Sequence, residues 1–425
     1  MDKVQPPAIL DDVLLHAEKY GVGFQANGCL EVPNLPPPNI KNDIHPAFHL
    51  NRWMTGHDQH TSTIYGRMMP ALQLASLFLS EECVLGHFAH MYLGSLRQDS
   101  RGIHIEPVPE ENTPQGRQFA KNKLVELANV ITFMFVPRDH YQHAERDEKH
   151  AWGITRASRK YFQRTTRFGR RYKESDFPPV PPQYRTSQYE YQTPIISLRE
   201  DFQDFFLRDY PGCTPSQKYR VWLLFAVVLV HEVSHSFWMF LGRMKGIGEP
   251  YGYSDSNMPE LGFDWEQRAL GHVVDPRFGT VHVASNLPLT TKRTATWNSD
   301  SNGENRRKAM RILFGHELYR MFPWTANIEY NGKFSWAPEY ELSDFPEPFG
   351  GQTSRQNFGF LITALSMRWV VAWFKEEHWD HFRDRWRRER RYEPLKFWSV
   401  MCVYYQRLDG KVTITHACVK PEHGL

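Results

Sequence analysis

Cysteine is scarce in this chain of 425 residues, with five residues and no C-x-x-C pair. The odd number and wide spacing fit neither a disulfide framework nor a zinc site built from thiolates, so we expect a reducing compartment. The first twelve residues carry three acidic residues and two prolines. Because an export signal needs an uninterrupted apolar stretch, the sequence predicts no signal peptide and a cytoplasmic or nuclear location.

The chain also lacks a strong charge imbalance and a long apolar run. Its 51 basic and 48 acidic residues leave a formal charge of +3, which gives no general attraction to nucleic acid or to a membrane. The most apolar run, residues 221–230, covers ten positions. As a helix it would cross about half of a bilayer core. We therefore expect no segment to span a membrane.

One local region is strongly basic. Residues 156–173 contain eight basic and four aromatic residues and no acidic residue. Such cations can contact phosphates and such rings can stack on bases. A run of charge is more often a solvated surface, so nucleic-acid binding through this region is the less favoured interpretation.

Turn and helix signals along the chain predict an α+β fold that is predominantly helical. Proline-rich residues 33–38 and 178–182 read as connectors, because proline continues neither a helix nor a central strand. Helical segments are predicted over residues 8–20, 70–96 and 119–136.

The end of the chain has a different pattern. Residues 399–406 and 412–418 are rich in strand-forming side chains and flank Asp409 and Gly410, which suit a tight turn. This pattern predicts a C-terminal β-hairpin. The three predicted segments are 1–180, mostly helical; 181–275, a metal-binding core; and 276–425, an α+β region that is either separate or packed with the core as one catalytic domain.

The strongest chemical signal is the pattern H-E-x-x-H formed by His231, Glu232 and His235, directly after the apolar run. Histidines four positions apart lie on the same face of a helix, so both imidazoles can reach one ion. Glu232 lies about 100° around the helix from His231, where its carboxylate can take a proton from zinc-bound water. The pattern therefore predicts one catalytic Zn²⁺ ion with Glu232 as general base.

A catalytic zinc site needs a third protein ligand and one open position. A second helix is predicted from about residue 257 to a glycine cap at Gly271. Its first-turn acid, Glu260, is the preferred third ligand, and Glu266 is the alternative. The oxyanion that forms during attack needs a further donor, for which Tyr251 and Tyr253 in the loop between the helices are candidates.

These two helices resemble those of the zincin metallopeptidases, and within them the thermolysin-like gluzincins. Glu260 and Asp264 stand in the E-x-x-x-D relation of that group's second helix. The resemblance covers residues 221–271. It implies that His231, His235 and Glu260 bind zinc, that Glu232 is the base, and that Asp264 accepts a hydrogen bond from a histidine and orients it.

The metzincin pattern is excluded, because Trp238 and Leu241 stand where it needs glycine and histidine. The order E-L-G-x-x-W-E at residues 260–266 is also similar to that of fungal proteins that carry an H-E-x-x-H helix. Two other types of third ligand remain open. Asp255 would give an aspartate-ligand site, and His272 or His282 a histidine-ligand site that resembles metallopeptidases that process DNA–protein crosslinks.

The predicted function is a zinc-dependent hydrolase, in the first place a metallopeptidase that acts on a peptide or protein substrate. The alternative is a metal-binding protein without peptidase activity, associated with nucleic acid through residues 156–173. A third possibility keeps the metal site but uses it on a substrate other than a peptide.

Overall fold

The computed structural model describes residues 24–25, 28–54, 60–100, 102–137, 151–166, 169–184, 192–243, 248–253, 256, 259–274, 281–286, 289–297, 334–336, 340–341, 357–395, 400–408 and 411–419. The fold is α+β, as predicted. Its α-helices are α1 (Thr61–Ser80), α2 (Gly86–Leu93), α3 (Pro114–Leu127), α4 (Arg159–Thr165), α5 (Glu200–Asp204), α6 (Pro215–Phe240), α7 (Leu261–Leu270), α8 (Val281–Asn286), α9 (Met367–Ala372) and α10 (Glu376–Glu389). Its β-strands are β1 (Ser95–Asp99), β2 (Gly102–Glu106), β3 (Thr132–Val136), β4 (Gly153–Arg156), β5 (Ile195–Arg199), β6 (Val273–Val274), β7 (Thr290–Trp297), β8 (Phe334–Trp336), β9 (Tyr340–Glu341), β10 (Asn357–Ala364), β11 (Val400–Leu408) and β12 (Lys411–Val419).

The central element is α6, which is buried over most of its length. Its first turn is capped by the side chain of Thr214, and Pro215 occupies the position where a missing N–H costs no helical hydrogen bond. The apolar residues 221–230 are buried because α1, α7, α8, α9 and β4 pack around the helix. The H-E-x-x-H pattern thus lies on the last three turns of a core helix.

A three-stranded sheet packs beside α6. Its order is β3-β5-β4, with β3 parallel and β4 antiparallel to β5. In an antiparallel pair, the main-chain polar groups of alternate residues face the partner strand. The main-chain groups of Trp152 face β5, because its carbonyl accepts a hydrogen bond from the amide of Arg199. At every second residue from Gly153 they face the other way, so the main-chain groups of Gly153 and Thr155 point towards the outer edge of the sheet.

In the described part of the chain, the larger sheet has seven strands in the order β6-β7-β10-β11-β12-β8, with β9 also paired to β12. Its neighbouring strands are antiparallel. The predicted C-terminal hairpin is confirmed, because β11 and β12 pair in a register that joins Leu408 to Lys411. The predicted turn residues 409–410 lie outside the described residues.

The predicted second helix is α7, with a later start. It begins at Leu261 and not near residue 257, because Glu260 has an extended backbone and forms the cap. It ends at Gly271, as predicted, where a φ of 79° is the left-handed conformation that glycine adopts without strain.

Two predicted helices are wrong in part. Residues 70–96 do not form one helix, since Pro70 lies inside α1, and α2 follows after a turn. Burial of apolar side chains along α1 outweighs the hydrogen bond lost at Pro70. Only the first part of 119–136 is helical. The segment Thr132–Val136 is β3, because its buried β-branched and aromatic side chains suit a strand. The predicted helix over 8–20 lies outside the described residues.

The first two predicted segments share a sheet, and all three share a core. Strands β3 and β4 precede residue 180 and pair with β5, which follows it. One cluster of buried side chains draws on all three segments. For example, the ring centroid of Phe78 lies 5.3 Å from that of Trp265 and 5.4 Å from that of Trp373. Packing in the described part of the chain therefore continues across residues 180 and 275, and the division into three segments stays a prediction.

The helix α6 is longer than the apolar run suggests. With 26 residues it is long and apolar enough to cross a membrane, and 83% of its most apolar 18-residue window is buried inside the protein. Such a helix is weak evidence of a membrane span, since a buried core helix passes the same test. That no segment spans a membrane stays a prediction.

Candidate metal centre

Three side chains from α6 and the cap of α7 converge. The Oε1 atom of Glu260 lies 3.3 Å from Nε2 of His231 and 2.6 Å from Nε2 of His235. Potential ligand atoms of the three residues all lie within 4.8 Å of one another. Within the described ranges, this is the one group of histidine, cysteine and acidic side chains close enough to hold an ion. We call these three residues the metal-site cluster.

The geometry of two helix ends produces this convergence. His231 and His235 lie one turn apart on α6, with ring centroids 5.1 Å apart. Glu260 caps α7 by accepting a hydrogen bond from the amide of Phe263 at Oε2, which leaves Oε1 to face the imidazoles. The helices pack closely because of Gly262, where a Cβ would lie 2.4 Å from the imidazole Cδ2 of His231.

Each imidazole of the cluster has a second carboxylate at its other nitrogen. Nδ1 of His231 lies 2.7 Å from Oε1 of Glu266, and Nδ1 of His235 makes a short hydrogen bond with Oε1 of Glu249. A carboxylate at Nδ1 holds the proton there, so the lone pair of Nε2 points at Glu260. Two lone pairs that face a carboxylate oxygen at hydrogen-bond distance require a cation between them, either protons or a metal ion.

The charges of the site show the same requirement. Burial lowers the pKa of His231, but the carboxylates of Glu260 and Glu266 outweigh it and raise the pKa to about 10. Burial of His235 is likewise outweighed by Glu249 and Glu260, which raise its pKa well above the usual value. Burial raises the pKa of Glu260, but the two imidazoles hold it well below its usual range. The cluster therefore stabilises positive charge at its centre.

Glu232 follows His231 along α6 and is held by the edge strand β4. Glu232 is 5% exposed, and its Oε2 atom accepts a hydrogen bond from the hydroxyl of Thr155 at 2.7 Å. The backbone of Gly153 lies against the same carboxylate, since a Cβ there would be 2.8 Å from Oε1. The predicted base is thus enclosed between α6 and β4.

A second cluster of histidine and glutamate lies beside α7, and we call His90, Glu111, Gly252 and Tyr253 the His90 cluster. Nδ1 of His90 lies 2.7 Å from Oε2 of Glu111, and Nε2 lies 2.6 Å from the carbonyl oxygen of Gly252. The ring of Tyr253 stacks on His90 with centroids 4.4 Å apart. The guanidinium of Arg268 lies 4.1 Å from the centroid of the tyrosine ring.

The contacts described for the two predicted oxyanion donors are to residues other than the three of the metal-site cluster. The backbone of Tyr251 extends the hairpin of β1 and β2, with its amide bonded to Ile103 and its carbonyl to Ile105. Tyr253 belongs to the His90 cluster, and burial raises the pKa of its hydroxyl. The role of either tyrosine in oxyanion stabilisation stays a prediction.

Two carboxylates of α7 differ from the prediction. Asp264 does not orient a histidine, because it accepts hydrogen bonds from the amide of Gly252 at 2.8 Å and the hydroxyl of Ser256 at 2.5 Å. Glu266, the alternative ligand, is outside the metal-site cluster and takes the position behind His231. The two side chains diverge because residues two positions apart point about 200° apart around a helix. Burial raises the pKa of Asp264 and of Glu266 to about 7.

Of the other three predicted ligands, the structure describes the side chain of one. Asp255 and the side chain of His282 lie outside the described residues, and His272, in the turn after α7, is not part of the group. The sequence analysis missed Glu249, although it is the one acidic residue between His235 and Asp255. It also missed Gly153 and Thr155, which no local pattern connects to a motif 77 residues further along the chain.

Part of the basic stretch 156–173 is buried in the protein core. Arg159 is buried, donates to the hydroxyl of Thr132 at 3.0 Å and lies 5.2 Å from the ring centroid of Phe177. Phe162 is also buried, so its ring is not available for stacking on a base. Exposed cations remain at residues such as Lys160. Nucleic-acid binding stays a prediction.

Comparisons with known proteins identify no relative. No protein-family model, no curated protein and no solved structure matches the chain. The function is therefore argued from the residues and the geometry of the site.

Proposed function

We propose that this protein is a zinc-dependent hydrolase that cleaves peptide bonds, with Glu232 as the general base. The observation that carries the proposal is the approach of one Glu260 oxygen to Nε2 of both His231 and His235. Two imidazole nitrogens and one carboxylate oxygen are a donor set that suits zinc, and three protein ligands are the number used in catalytic zinc sites. The set is similar to that of the gluzincins.

Zinc, when bound, supplies Lewis acidity that polarises the scissile carbonyl and makes water more acidic. The protein side chains do the rest. Glu232 accepts the proton of the attacking water and transfers it to the leaving amine. Glu249 and Glu266 keep the two imidazole rings oriented and increase the basicity of their Nε2 atoms.

The edge strand β4 supports a peptide as the substrate. Among the described strands, β4 pairs with β5 alone, and the outward main-chain groups of Gly153 and Thr155 can pair with an extended peptide. The side-chain positions of the same two residues face Glu232. A peptide added to this edge would therefore lie along the strand that holds the base.

The test compares metal content and peptide hydrolysis of wild type and Glu232→Gln, which keeps the shape of the side chain and removes the base. We expect about one zinc per chain in both proteins, and hydrolysis of a mixed peptide library by wild type that falls by about 10²- to 10⁴-fold in the variant. Chelation should abolish the wild-type activity, and zinc should restore it.

The matched control is Glu126→Gln on α3, which makes the same chemical change at a partly exposed carboxylate paired with Lys123. It should hydrolyse the library as wild type does. Equal hydrolysis by wild type and Glu232→Gln contradicts the proposed base. A zinc-loaded protein that cleaves no peptide contradicts the proposed peptidase activity. Substrates other than peptides would then be tested at the same site.

A further inference from the structure

The contact between Thr155 and Glu232 joins the sheet to the predicted base. The hydroxyl of Thr155 lies 2.7 Å from Oε2 of the carboxylate and 3.0 Å from the backbone carbonyl of the same residue. A hydroxyl has one proton to donate, and the shorter contact to the charged acceptor is the stronger one. This hydrogen bond fixes one of the two carboxylate oxygens.

The other oxygen is bounded by backbone. At Gly153, an added Cβ would lie 2.7 Å from Cγ, 2.8 Å from Oε1 and 2.9 Å from Cδ of Glu232. The carboxylate therefore fills the space that a side chain at this position of β4 would occupy. Because Oε2 is held by Thr155 and Oε1 lies against Gly153, the edge strand restricts the rotation of the carboxylate.

We propose that Thr155 is a positioning residue for Glu232. Its hydroxyl engages Oε2 and fixes the rotation of the carboxylate, so that Oε1, to which no described group donates a hydrogen bond, accepts the proton of the attacking water. The proposal rests on the proposed function. It adds that the strand whose outer edge binds the peptide also sets the orientation of the base, so that the scissile carbonyl and the base are aligned by one element.

Two substitutions separate the hydroxyl from the shape of the side chain. Thr155→Val keeps the β-branched form that suits a strand and removes the donor, whereas Thr155→Ser keeps the donor. A lost hydrogen bond to a charged acceptor should lower kcat about tenfold in Thr155→Val and change KM less than about twofold, because the main chain of β4 is unaltered. Thr155→Ser should stay within about threefold of wild type in kcat.

The matched control is Ile154→Val on the same strand. Its side chain packs on the opposite face, in the small core that includes Met134 and Phe162. It should leave kcat and KM unchanged. Equal loss of kcat in Thr155→Val and Thr155→Ser overturns the proposal, and so does a loss that appears in KM alone.

Crystal structures of the zinc-loaded variants provide a readout that does not depend on activity. The carboxylate of Glu232 should rotate away from its wild-type position in Thr155→Val and keep that position in Thr155→Ser, with zinc content equal in all three proteins. An unmoved carboxylate in Thr155→Val overturns the positioning role. If wild type cleaves no peptide while the carboxylate moves as expected, the peptidase proposal fails and the positioning role stands.

Discussion

The metal-site cluster and the His90 cluster use the same residue types and differ in where the ring nitrogens point. In the His90 cluster, Nδ1 faces Glu111 and Nε2 faces the carbonyl of Gly252, so each nitrogen has its own partner. In the metal-site cluster, Nε2 of His231 and Nε2 of His235 both face one oxygen of Glu260. In the first arrangement each ring nitrogen has a separate acceptor, whereas in the second two ring nitrogens converge on one oxygen, as the ligands of a single ion would.

Proximity of histidine and glutamate alone therefore does not define a candidate metal site. What matters is that donor atoms from separate residues point at the same place, with their other atoms already bonded. Helix α7 and its cap connect the two clusters. Its cap Glu260 belongs to the metal-site cluster, and its Asp264 accepts a hydrogen bond from the amide of Gly252, whose carbonyl faces Nε2 of His90.

The largest expected difference between the clusters comes from removing one histidine from each. His235→Asn should lose zinc almost completely, with affinity reduced more than about 100-fold, because a ligand is lost and not only its hydrogen-bonded partner. His90→Asn should keep about one zinc per chain and lose about 1–3 kcal/mol of stability, because buried partners lose their hydrogen bonds. Metal analysis and denaturant unfolding measure the two effects. Zinc retained by His235→Asn would refute the metal-site cluster.

The carboxylates behind the imidazoles give the next effect in size. Glu249→Gln and Glu266→Gln should each weaken zinc binding by about 10- to 100-fold, because the histidine rings lose basicity and orientation. Glu111→Gln makes the same change in the His90 cluster and should leave zinc affinity as it is. Competition with a chelator of known affinity measures all three. Unchanged affinity in Glu249→Gln would contradict its contact with His235.

Close packing of the two helices is tested at Gly262. Gly262→Ala should push the His231 imidazole out of place, since the new Cβ would overlap three of its ring atoms. We expect a loss of about 1–3 kcal/mol in unfolding free energy together with weaker zinc binding. The matched variant is Gly66→Ala, at an exposed position of α1 with no atom within 4 Å of the new Cβ. Its unfolding free energy should increase by about 0.5–1 kcal/mol, because alanine favours a helix. Its zinc affinity should stay that of wild type.

The smallest expected effect concerns Asp264, the α7 residue that binds Gly252 of the His90 cluster. Burial raises the pKa of Asp264 from 3.8 to about 7, so the folded protein binds the proton more tightly than the unfolded chain. Stability therefore falls as pH rises between these two values. The Asp264→Asn variant has no group that ionises at this position. Its unfolding free energy should therefore increase relative to that of wild type by on the order of 1 kcal/mol between pH 5.5 and pH 8.

Thermal unfolding of the zinc-loaded proteins across this range measures the difference. Asp43→Asn, at an exposed position, is the control and should follow the wild-type curve. A constant offset between Asp264→Asn and wild type at every pH would show that Asp264 contributes hydrogen bonds without titrating in this range.

Features with a local cause could be predicted from the sequence. The spacing of His231 and His235 needs only the periodicity of a helix, and the cap at Gly271 needs only the freedom of glycine. The hairpin of β11 and β12 follows from strand formers on both sides of a short turn. Strand β3 could not be predicted in this way, because its pattern of buried residues is shared by helices and strands and depends on its pairing with β5.

The sequence by itself determined that two imidazoles share one face of a long buried helix with a glutamate beside them. The tertiary structure alone decided that Glu249 and Glu266 stand behind these imidazoles, that Asp264 binds a loop instead, and that Thr155 holds Glu232. The two kinds of contact differ in the number of residues that separate the partners along the chain. A helix fixes the direction of side chains within a few residues, whereas these contacts span up to 77 positions and exist only because α7 and β4 pack on α6.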